Sequence, residues 1–258
     1  MHTPPQPPAG FRRAELAVLL FSVFFIAVCG LLYELLISSV STYFLGSSVL
    51  HFSITIGLFM SAMGAGSWLS RYVRRALLER FILVEVLLGI VGGFSGIVLY
   101  SAYSFTEEYY MISSALIVLL GAGIGLEIPL LTRIVKQYGS LRDAVAQVLS
   151  FDYLGALLAS LVFPLVLLPY FGAMRTSFVV GAMNLLVALL CIWVFRRQLA
   201  GVVATAILAV GGLVGMSAGF VQSLELVGFF ERNLYSDEIV LAEQTPYQRI
   251  VLTKEGTD

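Results

Sequence analysis

Four carboxylates in this chain stand where carboxylates are expensive. Glu34, Glu85, Glu127 and Asp152 each interrupt an apolar run, as in Leu32-Tyr33-Glu34-Leu35, Val84-Glu85-Val86, Leu126-Glu127-Ile128 and Phe151-Asp152-Tyr153. A charge near the centre of a bilayer costs about 2.5 kcal/mol or more, so such residues turn toward a partner helix or a wet cavity. Two chemistries are open. Paired with a base such as Arg133 or Arg142, the acids lock helices together through ion pairs or hydrogen bonds. Left in excess over the bases, they form a cation site or a proton relay. Glu85, Glu127 and Asp152 fall toward one end of their spans, and Glu127 and Asp152 are expected to approach each other or Arg133. Pro129, two residues after Glu127, removes a helical N–H and frees a carbonyl. No histidine lies mid-span, since His51 sits at a span edge. Cys29 and Cys191 lack the spacing of a disulfide or metal pair and read as small apolar residues.

The elements that must hold these acids follow from composition. Apolar residues make up 59% of the 258 and charged residues 12%, against about 25% charged in soluble domains. The mean hydropathy is +0.94, too high for a soluble surface. Net charge is −1, which gives no basic field for nucleic acid. A span needs about 20 apolar residues. Seven stretches meet that length, at 14–41, 50–70, 81–104, 109–132, 146–170, 174–195 and 199–221. The expected fold is therefore an all-α polytopic membrane protein, a bundle of seven transmembrane helices with a short C-terminal β segment. Residues 1–13, with Pro4, Pro5, Pro7 and Pro8, are expected to be a disordered leader. The bundle occupies 14–221, and 222–258 form a linker and the start of a second module.

Charge orients the bundle. With the amino terminus in the cytoplasm, the inner segments hold Arg12, Arg13, Arg71, Arg74, Arg75, Arg80, Arg133, Lys136, Arg142, Arg196 and Arg197, whereas the outer loops hold only Arg175. The short joints imply that consecutive spans are antiparallel neighbours. Small residues recur every four positions at Gly211, Gly215 and Gly219, at Gly89 and Gly93, at Gly92 and Gly96, and at Gly121 and Gly125. Such stripes let helix backbones approach closely, within the bundle or across a homo-oligomer face. Gly121 to Gly125 follows no strand and is not a nucleotide loop.

After Val221 the character changes. Glu238 to Ala242 and Arg249 to Thr253 read as two short strands around Thr245-Pro246-Tyr247. A lone pair of strands is marginal in water. The segment Glu243-Gln244-Thr245-Pro246-Tyr247-Gln248-Arg249-Ile250 resembles the first strands of the spermidine synthase, or polyamine aminopropyltransferase, family. The spans resemble the bacterial branch in which such an enzyme follows about seven helices. The matching stretches are Cys29 to Leu36, Gly64 to Leu69, Gly125 to Leu130 and Leu149 to Ala156.

The resemblance implies transfer of an aminopropyl group from decarboxylated S-adenosylmethionine, the co-substrate, to putrescine, giving spermidine and methylthioadenosine. It also implies a bacterial inner membrane location. Gln248 matches the family glutamine that helps bind the nucleoside. The family's glycine-rich loop, ribose-binding acid and catalytic aspartates match nothing in these 258 residues, so no catalytic residue is assigned and this chain alone is expected to be inactive. The alternative is a transporter-like module whose intramembrane acids bind a polyamine or another cation. Seven spans put the tail outside, whereas the family's nucleoside substrate is cytosolic, so either residues 199–221 lie in the interface or re-enter, or the enzyme domain faces outward.

Overall fold

The computed structural model describes residues 9–234, 238–244 and 249–254. Eight α-helices precede a hairpin: α1 (Ala9–Leu45), α2 (Ser48–Leu69), α3 (Leu77–Gly93), α4 (Ser95–Phe105), α5 (Tyr109–Val135), α6 (Leu141–Val162), α7 (Gly172–Phe195) and α8 (Val203–Leu234). Strands β1 (Glu238–Gln244) and β2 (Arg249–Lys254) pair antiparallel, with a register shift between Ile239 and Leu241. Residues 9–13, expected in the leader, belong to α1, and the rest of that expected leader lies outside the described residues.

Among the described residues, six helical stretches are long and apolar enough to cross a membrane. The longest, Leu141–Phe195, comprises two helices, α6 and α7, joined by a turn. Its turn is a π-helical segment, Phe163–Phe171, containing Pro164 and Pro169 and ending at Gly172 with φ +70°. Neither proline can donate to a helical ladder, which favours a break there. Gly172 then supplies the left-handed conformation that other residues resist. α3 and α4 form one continuous apolar stretch, interrupted only at Phe94.

Helix α1 is the axis. Leu19, Val23, Leu32, Leu36 and Ile37 along it are all but inaccessible, and α2, α5, α6 and α7 pack around it. Consecutive helices are not always neighbours: α6 and α7 both lie against α1 and hardly touch one another. The last helix also outruns its expected end at residue 221. α8 continues to Leu234 because Val227 and Phe230 still have something to cover, and Phe230 packs on Tyr100 and Phe105 of α4.

The stripes resolve into specific contacts. A Cβ on Gly181 would lie 2.5 Å from the Cα of Gly93 and 2.6 Å from the Gly89 carbonyl oxygen, so α3 and α7 touch backbone to backbone. Gly121 and Gly125 do the same for α5 against Phe59 and Met63 of α2. On α8 the expectation holds only in part. Gly215 and Gly219 face Phe94 and Phe178, but Gly211 faces open space, and the contacting glycine is Gly212. Only the first position of the stripe moves, by one residue from Gly211 to Gly212.

Candidate functional site

The polar centre of the bundle lies where α1, α3, α5 and α7 cross. α1 presents Cys29 and Tyr33, α3 presents Glu85, α5 presents Glu127, and α7 presents Asn184 and Cys191. Close packing sets their level. Ile124 seats on Gly30, Leu88 seats on Gly123, and the Tyr33 ring covers Gly92. Larger residues at these glycines would push the helices apart and separate the acids.

Glu85 and Glu127 are both fully buried. Their carboxyls face each other at interaction distance, yet none of the four oxygens has a hydrogen-bond donor. Ionised carboxylates are acceptors only. The contact is therefore satisfied either by a proton held between the two groups or by a cation. Asn184 is 2% exposed, and its Oδ1 also lacks a donor. It shares a face of α7 with Val180, whose carbonyl lies 3.8 Å from Cys29 Sγ, and with Cys191, whose Sγ lies 3.3 Å from Ser22 Oγ. Tyr33 Oη donates to the Leu88 carbonyl at 3.4 Å, a long contact. Both cysteines are free and buried. Among the described residues, no group of three or more His, Cys, Asp or Glu side chains has the arrangement of a metal centre.

Two expected partners are not where spacing suggested. Glu127 meets Glu85 rather than Asp152, which lies half-buried on α6. Arg133 serves no carboxylate. Its Nε, Nη1 and Nη2 donate to the carbonyls of Pro129, Val73 and Ser70 at 3.1, 2.7 and 2.8 Å. It caps the turn after α2, a role invisible in sequence because any backbone offers the same acceptors. Glu34 is buried next to Tyr33 but is not part of the pair. Gln248 lies outside the described residues.

Sequence reasoning also missed three residues. Asn184 was signalled by its position inside Gly181-Ala182-Met183-Asn184-Leu185. Glu15, 2% exposed, accepts from Tyr138 Oη at 2.9 Å and from the Gln198 amide, tying α1 to the ends of α5 and α7. Glu231, in a segment expected to be linker, is 1% exposed on α8.

No family model matches the chain, and no solved structure matches it. Curated proteins do. A polyamine aminopropyltransferase of Leptospira interrogans is 41% identical over 236 residues, 92% of this chain and 47% of that protein. Polyamine aminopropyltransferase 1 of Ralstonia nicotianae is 42% identical over 271 residues, 100% of this chain and 51% of the relative. A polyamine aminopropyltransferase of Oceanobacillus iheyensis is 35% identical over 240 residues, 90% of this chain and 46% of the relative. The chain thus spans about half the length of the curated relatives it matches. With these identities running through the helices that hold Glu85 and Glu127, the chain belongs to the polyamine aminopropyltransferase, or spermidine synthase, family.

Proposed function

We propose that the chain is the membrane-embedded part of a polyamine aminopropyltransferase, which moves an aminopropyl group from decarboxylated S-adenosylmethionine to putrescine and yields spermidine. The observation that carries this reading is the 41–42% identity over nearly all of the chain to proteins of that name. Embedding is supported by what faces outward. On α2, α6 and α8 the exposed side chains include Ile54, Met60, Leu157, Leu161, Val214 and Leu224, an apolar surface too extensive for water. The arginine-rich end, residues 71–75, 133–142 and 196–197, then faces the cytoplasm. α8 leads away from it, since Gly212 lies beside Leu185 and Ser223 beside Arg175. The hairpin therefore emerges at the opposite face.

Membranes from cells expressing the full-length gene product should form spermidine from putrescine and decarboxylated S-adenosylmethionine, whereas these 258 residues alone should not. Absence of aminopropyl transfer, or activity wholly in the soluble fraction, would overturn the reading. A second reading rests on the unpartnered oxygens of Glu85 and Glu127: the bundle binds a cation or proton and moves it. Glu85→Gln and Glu127→Gln separate the two. Loss of polyamine uptake with synthesis intact favours transport, and unchanged uptake in both variants removes it.

A further inference from the structure

We infer that the cleft at the arginine-rich end is a headgroup site for a zwitterionic aminophospholipid, with its phosphate on Arg74 and its ammonium against Glu79. This rests on the membrane embedding proposed above. The cleft measures about 320 Å³, within the range of small-molecule sites, about 300–1,000 Å³. Arg74, Glu79 and Gln137 line it, above an apolar floor that includes Leu78, Ile134 and Phe195. A polar mouth over an apolar floor, at the end of helices with apolar outer faces, suits a headgroup that continues into acyl chains. It suits a free phosphate poorly.

The cleft is built rather than incidental, because its walls are tied from three sides. Arg133 holds the turn that carries Arg74 through the Ser70 and Val73 carbonyls. Glu79 Oε1 accepts from the Ala200 backbone N–H at 2.8 Å, fixing the connection between α7 and α8. Glu15 holds Tyr138 and Gln198 from below.

The charge pattern selects the lipid class. Arg71, Arg75, Lys136, Arg196 and Arg197 stand at the same end and would attract any anionic headgroup. The lining itself, however, carries a carboxylate, Glu79, as well as Arg74. A purely anionic headgroup meets Glu79 with repulsion. A choline headgroup brings a cation with no N–H to donate. An ethanolamine headgroup satisfies both residues.

The test uses the whole chain in nanodiscs holding equal parts of phosphatidylethanolamine, phosphatidylglycerol and phosphatidylcholine, with retained lipid measured by native mass spectrometry. We expect phosphatidylethanolamine to be enriched about fivefold, the scale of one charge-assisted contact at a partly exposed site. Glu79→Gln keeps an acceptor for Ala200 and should erase the preference over phosphatidylglycerol. Arg74→Gln should lower retention of all three. Equal or greater retention of phosphatidylglycerol by the native chain would overturn the site, as would a preference that survives Glu79→Gln. Displacement of the lipid by free phosphoethanolamine or inorganic phosphate would assign the cleft to a soluble ligand and overturn it too. Alkaline carbonate extraction checks the embedding separately. Release by carbonate overturns embedding and site together, whereas an embedded chain without lipid preference overturns the site alone.

Discussion

Replacing Gly181 by alanine adds one methyl group at the tightest crossing of α3 and α7. The new carbon would lie 2.5 Å from Gly93 Cα and 2.6 Å from the Gly89 carbonyl oxygen, where carbon contacts settle at about 3.5–4.0 Å. Both obstacles are backbone, so no rotamer change relieves them and the helices must part by roughly 1 Å. Overpacking of this kind costs about 1–3 kcal/mol. We place Gly181→Ala at the upper end, about 2–3 kcal/mol, because the same crossing holds Glu85 one turn from Gly89 and its displacement disturbs the carboxyl pair. Gly211→Ala is the matched control, since a Cβ there meets nothing within 4 Å. Both variants are compared with the native chain by unfolding in one detergent system with a denaturing detergent titrated in. Equal stability of Gly181→Ala and Gly211→Ala would refute the close-packing reasoning.

Glu127→Gln keeps the volume and gives Glu85 an amide donor, so its stability should stay near native. Glu127→Ala strands Glu85 in a dry interior beside a cavity and should cost about 3 kcal/mol or more in the same titration. Arg133→Met leaves the Ser70 and Val73 carbonyls without their donors and should cost about 2 kcal/mol. Arg133→Lys should recover only part, because an ammonium cannot span both acceptors as the planar fork does, and the melting temperatures of the two variants check the order.

Many helix positions were legible because long apolar runs are bracketed by charged or turn residues. The joints near residues 46, 106 and 172 fall where turn residues placed them. The end of α8 was not legible. Gln222, Glu225, Glu231 and Arg232 look like a departure from the membrane, while Val227 and Phe230 keep packing on α4. Rotation about a helix axis was also hidden, so the repeat pointed to Gly211 where the contact belongs to Gly212. At the site, spacing showed which acids were unusual but not which would meet. Glu85 and Glu127 are 42 residues apart by their numbering, and only the α3–α5 crossing brings them together. Arg133 seemed the natural partner for Glu127, yet carbonyls at the end of α2 take its donors.

The side of the membrane on which each end of the bundle lies tests the central claim most directly. Paired topology reporters, one fused after Arg75 and one after Asp258 in otherwise native chains, would read it in living cells. Seven passes with the arginine-rich end inward require the reporter after Arg75 to be cytoplasmic and the one after Asp258 to lie across the membrane. Both reporters on the same side would contradict the seven-pass bundle, and a periplasmic reporter after Arg75 would contradict its orientation.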